Sequence, residues 1–307
     1  MAVAPRADPQ TYFSPDEWAD LSARSSWRGL WLVAHCWGVI ALAMVVGVLW
    51  PVTIPLGIVV VGARQLGLFI LMHDAAHAHL HPTRRVNDWL ATWLCSGDIR
   101  QYRPYHLTHH RYVQQAEDPD LVLSAPFPIT RRSLARKVVR DLTGQTFFKQ
   151  RFGHIAKRVK TRAAGESALR IVGEELAKDR RFLIGNALGL AVFAVAGYWW
   201  VWVVLWLVPM ATWLQLVSRV RNIAEHALID QDQRDPLRQA RTTRVGLIER
   251  IVVAPYWVNY HCEHHLFTNV PCWNLPRAHA VLARRGTLPS MELQSGYLSM
   301  LESATAA

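Results

Sequence analysis

Residues 66–81 read LGLFILMHDAAHAHLH, an uncharged apolar run that passes without a linker into four histidines within nine positions. One half of the stretch suits a hydrocarbon environment and the other binds protons or metals. Traced backwards, the apolar run reaches Val52 and is broken only by Arg64 and Gln65, and a second run, Leu30–Trp50, lies just before it. Each matches the roughly 20 residues that cross a bilayer core of about 30 Å. A third run, Phe182–Ser218, is about twice that length and is interrupted near Gly197-Tyr198-Trp199-Trp200, so it reads as a helical hairpin. The expected fold is therefore all-α and integral to a membrane, with four transmembrane helices in two hairpins, residues 30–72 and 182–218. Residues 1–29, 73–181 and 219–307 form the aqueous part, expected as a helical cap, and the whole is read as one integrated domain. Of the 307 residues 51% are hydrophobic, yet the formal net charge is +11, a pairing that suits a membrane protein with a charged aqueous face.

Charge sets the expected orientation. The chain is densely basic between His81 and Arg181, whereas the turns after Trp50 and Tyr198 carry no charge. Positive residues stay on the cytoplasmic side, so both termini and the long middle segment are expected in the cytoplasm, as for a bacterial inner-membrane protein. The turns Pro51 to Pro55 and Gly197 to Trp200 then face the other way. The first apolar run starts after a polar segment and is too long for a signal-peptide core, which makes it a retained anchor. SPDEWADL, from Ser14, has the form of a short surface helix with a serine cap and Asp16 and Glu17 at its positive end. Cys36, Cys95, Cys262 and Cys272 show no CxxC spacing, which argues against a zinc ribbon or a disulfide framework. Cys262 sits among histidines but points off their face.

Eleven of the fourteen histidines fall in four short stretches: HDAAHAHLH (73–81), HLTHH (106–110), NIAEH (222–226) and HCEHH (261–265). At about 100° per residue, His106, His109 and His110 share one side of a helix, as do His261, His264 and His265. His73 and His77 stack four apart. Four crossings bring every stretch to the same membrane border, where they can converge. Nine imidazoles gathered together would repel as cations and waste hydrogen-bonding capacity as neutral rings unless metal ions organise them. Nine nitrogens exceed one tetrahedral zinc, and no HExxH element supplies a hydrolytic base. Two ions that tolerate five or six ligands fit better, and nitrogen-rich, open-sided coordination points to iron and oxygen chemistry. Asp74, Asp118, Glu225 and Glu263 lie beside these histidines, where they either fix ligand rings or pair with nearby arginines. His35, His154 and His279 read as interfacial or packing residues.

These residues resemble the membrane fatty acid desaturase family. The resemblance covers nearly the whole chain: an HxxxH box in HDAAH, an HxxHH box in HLTHHRY followed by EDPD, a further histidine in NIAEH, and a last HxxHH box in NYHCEHHLFTNVPCWNLPRAH. It implies a four-helix membrane stem and a cytoplasmic cap holding two irons, which with dioxygen and two electrons remove hydrogens from an unactivated acyl chain. The implied ligands are His73, His77, His106, His109, His110, His226, His261, His264 and His265, with Asn222 holding a water on one iron. Two features depart from the pattern. His79 and His81 are extra, His81 sharing the face of His77 as a possible alternative ligand, and His261 stands where front-end desaturases have glutamine.

The resemblance implies desaturation of a lipid acyl chain, and the same boxes serve hydroxylases and ketolases acting on acyl, sphingoid or carotenoid chains. A non-catalytic metal-binding or transport protein would place more polar residues near the bilayer midplane than Arg64 and Gln215, and a b-type cytochrome would place single histidines deep inside facing helices. Arg64 is expected to face the bundle, either lining the substrate path or tying helices. The electrons need an external carrier such as a ferredoxin or cytochrome b5, because the chain has no flavin, haem or iron–sulfur motif. ITRRSLARKVVRDLTG and QTFFKQRFGHIAKRVKTR read as two basic amphipathic helices, the first burying Leu134, Val138 and Leu142, the second Phe148, Phe152, Ile155 and Val159. Their cationic faces, with Arg131, Arg132, Arg136, Lys137, Lys157 and Arg158, either rest on anionic lipid or dock that carrier. Nucleic acid is not an expected partner, since no recognition motif accompanies the charge.

Overall fold

The computed structural model describes residues 3–95, 97–163 and 165–305, and these are mostly helical. Three helices are long and apolar enough to cross a membrane: Arg28–Leu49, Pro51–Ala76 and Trp199–His226, of 22, 26 and 28 residues. At 1.5 Å per residue even the shortest reaches about 33 Å, more than a bilayer core. The remaining arm of the expected second hairpin is Arg180–Val195, 16 residues long and so shorter than the other three. The reversal falls where the sequence places it, at Gly197 with a left-handed φ of 81°.

The chain divides into two compact units. The first takes in the chain up to Val39, Ala63–Leu134 and everything from Val217 on, and it contains all four histidine stretches. Its strands are minimal: Thr242–Thr243 pairs in parallel with Leu293–Gln294, and Thr242 bridges back to Tyr260. This pairing anchors the short helix His261–Leu266, whose Cys262 backbone N–H donates to Thr242 Oγ1 at 3.2 Å. Gly29 packs directly on the loop after the first histidine pair, where a Cβ would come within 2.1 Å of the Leu80 carbonyl oxygen. Only glycine lets the two backbones approach so closely. Arg64 donates to the Ile251 carbonyl at 2.6 Å and lies 5.6 Å from the Tyr256 ring, so it ties its helix to a neighbouring segment. Ser14 caps the surface helix Pro15–Ser22 as expected, in a reciprocal box with Glu17.

The second unit comprises Ile40–Gly62 and Ala135–Leu216. Within it, Arg180–Val195 packs on the start of Trp199–His226 through Gly189, where a Cβ would meet the Trp202 ring at 2.2 Å. Asn186 Oδ1 accepts from Trp206 Nε1 at 3.0 Å between the same segments. A π-turn at Val203–Leu207, followed by Pro209, interrupts the regular α-helical hydrogen bonding of the long helix. Gln215 Nε2 then satisfies the Met210 carbonyl at 2.9 Å, which accounts for a polar side chain inside an apolar run. Both basic helices form, Arg131–Leu142 and Gln145–Lys160, but two expected burials fail. Leu142 is 44% and Phe148 56% exposed. The turn at Gly144 turns the hydrogen-bonded Asp141 and Thr146 inward instead of that apolar pair. The cationic face is also partly neutralised, since Arg158 pairs with Glu174 and Glu175.

Candidate metal centre

Each histidine stretch lies at or beside a helix terminus held by side-chain bonds to the backbone. The apolar helix Ile54–Ala76 carries His73 in its last turn, and its final carbonyls would be orphaned without partners. Arg103 supplies them, donating from Nε to Ala76 and from Nη2 to Ala75 at 2.9 Å each, while Asp88 holds its guanidinium. Asn87 adds a bond to the Ala75 carbonyl and accepts from the Leu80 N–H. At the end of Trp199–His226, Arg241 does the same for the carbonyls of Ala224 and Ala227. Neither arginine stands out in the sequence, since a cation that caps a helix from far along the chain leaves no local spacing.

Eight of the nine rings form two buried groups of four, each with ligand nitrogens within 4.8 Å of one another. The first is His73, His106, His110 and His264; the second is His109, His226, His261 and His265. His77 joins the first, its Nε2 lying 2.9 Å from His106 Nε2. His106 to His110 and His110 to His264 are both 3.0 Å between Nε2 atoms. In the second group, His226 to His261 is 2.9 Å, His261 to His265 3.1 Å and His109 to His265 3.3 Å. The groups abut, with the His110 and His265 rings 4.2 Å apart.

Hydrogen bonding alone cannot satisfy this arrangement. Each Nε2 carries either one proton or one lone pair, so it takes part in one such bond. His106 and His110 each face two neighbours, as do His261 and His265, and His73 Nε2 is buried with no partner. A cation resolves the conflict by accepting all the lone pairs at once. Nitrogens bound at about 2.1 Å and roughly 90° apart sit about 3 Å from one another, which matches the observed spacings. The residues present therefore fit a pair of metal ions, and the nitrogen-rich groups fit a di-iron site.

The surroundings keep the rings neutral, as ligands must be. Burial first, and then neighbouring rings and charges, hold His106, His110, His261, His264 and His265 well below the usual imidazole range. His77 is lowered in the same way, with Arg6 contributing. His109 is the exception: burial opposes its charged form, but the hydrogen bond and charge of Asp118, helped by Asp120 and Glu225, outweigh burial and raise it.

Of the four expected carboxylates, two reach a ring of the nine. Asp118 Oδ1 accepts from His109 Nδ1 at 2.8 Å, a contact that turns Nε2 toward the group, and Glu225 Oε2 lies 3.5 Å from His261 Nε2. Glu225 also accepts from Arg221 at 2.6 Å. Asp74 and Glu263 instead hold histidines outside the nine: Asp74 bonds His79 Nδ1 at 3.1 Å and the Cys272 N–H, and Glu263 bonds His279 and Thr242. Adjacency in sequence misleads here because neighbours on a helix point about 100° apart. His81 Nδ1 accepts from the Thr83 N–H in its own loop, so it lies apart from both groups, and Cys262 Sγ points to the Leu237 carbonyl. Asn222 lies one turn before His226, half-buried. Tyr102, which the sequence reading passed over, stacks on His106 at 5.5 Å and 6°. Its i, i+4 spacing was the available signal.

Long apolar helices and a buried, paired polyhistidine centre together fit a membrane protein able to bind metal. Comparison with known proteins narrows the class. A family model described as fatty acid desaturase matches residues 49–293, so the chain belongs to the fatty acid desaturase family, a di-iron family of oxidoreductases. It is 24% identical over 241 residues to a dihydrorhizobitoxine desaturase of Bradyrhizobium elkanii, covering 74% of this chain and 67% of the relative. It is 26% identical over 218 residues to a beta-carotene ketolase of a Paracoccus species, covering 69% and 74%, and 24% identical over 269 residues to an sn-1 oleoyl-lipid 12-desaturase of a Picosynechococcus species, covering 81% and 72%.

Proposed function

We propose that the chain is an integral membrane desaturase that introduces a double bond into a lipid acyl chain, with two irons held by His73, His77, His106, His109, His110, His226, His261, His264 and His265. The observation that carries this reading is the pair of four-nitrogen groups whose tips converge at about 3 Å, a spacing suited to ligands sharing one ion. In this reading Arg180–Val195 is the fourth crossing, the three other aqueous segments form a cytoplasmic cap, and Asn222 holds a water at the second group.

When bound, the metal pair would supply dioxygen activation strong enough to remove hydrogen from an unactivated methylene pair. The net change is –CH2–CH2– + O2 + 2 e⁻ + 2 H⁺ giving –CH=CH– + 2 H2O, so two electrons come from outside. The chain's own residues bind, orient and shield. Nε2 lone pairs would hold the ions, Asp118 fixes the tautomer and direction of His109, and near-complete burial of eight rings excludes bulk water. The apolar helices give an acyl chain dissolved in lipid a route to the centre.

A ketolase or hydroxylase reading is supported by the Paracoccus relative, whose identity is on a par with that of the desaturases. Expression in a host of defined lipid composition, followed by lipid mass spectrometry, tests both. Loss of two hydrogens supports desaturation. Gain of one oxygen, or of one oxygen with loss of two hydrogens, overturns it in favour of hydroxylation or ketolation.

A further inference from the structure

Among the nine rings, eight are buried and His77 alone is only partly so. His77, with His110, lines a cavity of about 350 Å³ whose wall includes Arg6, Arg24, Arg84 and Arg103. Arg84 and Arg103 share Asp88, whereas Arg6 and Arg24 have no carboxylate partner among the described residues. A ring that touches the metal-facing nitrogen of His106 at 2.9 Å therefore meets solvent at the bottom of a cationic bowl.

From this juxtaposition we infer that the Arg6–Arg24 rim over His77 is the docking surface of an acidic one-electron carrier, and that electrons reach the centre by way of His77. The inference rests on the oxidase chemistry proposed above, which needs two electrons from outside. Each reduced carrier is oxidised by one electron per encounter, and two encounters supply one turnover. An acyl chain is a poor occupant, because four guanidinium groups line the cavity and its apolar wall is little more than Leu107, Ala76 and Ala78. The basic helices of the middle segment are the rival surface, but Arg158 there is already engaged by Glu174 and Glu175. Opposite charge steers encounter and loses force with salt, so such a surface has a measurable signature.

The test uses the iron-loaded full chain in nanodiscs, with an acidic [2Fe–2S] ferredoxin as the probe. The double variant Arg6→Glu/Arg24→Glu is compared with Arg132→Glu/Arg136→Glu and wild type. The first variant should weaken ferredoxin binding about tenfold and flatten the slope of log Kd against log salt, while the second should behave as wild type. Ferredoxin reoxidation should slow in parallel, and reduction by dithionite should not, with unchanged iron content and circular dichroism certifying the fold. Wild-type binding in the Arg6→Glu/Arg24→Glu variant overturns the assignment, as does a loss confined to the Arg132→Glu/Arg136→Glu variant or a change confined to substrate KM. Binding needs no product, so a failure of desaturation in lipid analysis leaves this result standing and the two ideas separable.

Discussion

The two histidine groups are built alike and charged differently. In the second group, Asp118 bonds His109 and Glu225 approaches His261. In the first, the neighbours are aromatic or imidazole: Tyr102 lies flat on His106, and His79 stacks on His77 at 5.7 Å. A carboxylate that accepts the outer N–H of a ligand, as Asp118 does from His109 Nδ1, raises its basicity and fixes its ring, so it favours a more positive, more tightly held ion. The second position is accordingly expected to hold its ion the more firmly, and the first, which includes the partly exposed His77, the less.

Removing a ligand should give the largest effect and test whether the groups are separable. His106→Ala and His265→Ala should each abolish product formation, and each should lower iron content by about half, since an open-sided site that loses one of few nitrogens no longer competes for metal. Iron analysis of anaerobically purified protein checks this. Full iron with full activity in either variant would break the assignment, and complete loss from both would show one cooperative cluster instead of two positions.

Smaller, and aimed at the difference itself, is Asp118→Asn. It should weaken metal binding about 10- to 100-fold, read by competition with a chelator, and the loss should fall on one of the two irons. Asp74→Asn should do much less, because Asp74 orients His79 and the Cys272 backbone and touches no ring of the nine. Equal effects would remove the distinction between the groups.

These contrasts mark how far the sequence could be read. The i, i+3 and i, i+4 spacings placed His106, His109 and His110 on one side of a helix, and eight of the nine rings do meet in two groups. Spacing could not divide them. His106 and His110 go to one group and His109 to the other, a sorting decided by small angular differences on one turn and by which helix lies opposite. The apolar runs were legible because length and composition decide them, and the reversal at Gly197 because glycine permits its φ. Arg103 and Arg241 stayed hidden, because the carbonyls they cap belong to helices distant in sequence. The acids were only half legible, for the reason given by Asp74 and Glu263: on a helix, the next residue faces elsewhere.

Acid should single out His109 from the other rings, in the metal-free chain. His106, His110, His261, His264 and His265 have folded pKa values below the unfolded value near 6.5, so below about pH 6.5 the unfolded chain binds more protons and stability falls with acidification. Each such ring contributes a slope of up to about 1.4 kcal/mol per pH unit. His109 has the opposite sign: its raised pKa adds stability that is present below about pH 6.5 and is lost as pH rises through the folded value. Melting temperature should therefore drop between pH 7 and 5, and drop more steeply in Asp118→Asn, where the opposing contribution is gone. A shallower acid limb in that variant would contradict the pairing of Asp118 with His109.

The smallest effect concerns what the groups have in common. Ala78, just after His77, and Leu228, two residues after His226, both sit in the left-handed region at φ 62°. Such a residue satisfies the helix terminus but costs a non-glycine side chain about 1–2 kcal/mol. Glycine removes that strain and gives back about 0.5–1 kcal/mol in unfolded-chain entropy. Ala78→Gly and Leu228→Gly should each leave iron content unchanged and shift unfolding free energy by no more than about 1 kcal/mol, measured by denaturant melts of the detergent-solubilised chain. Similar small shifts at both sites would mean that the backbone scaffold treats the two metal positions alike, leaving Asp118 as the source of their inequality. A large loss at Ala78 alone would move that source into the loop carrying His77 and His79, and would make the exposed ring a matter of local strain as well as of missing carboxylates.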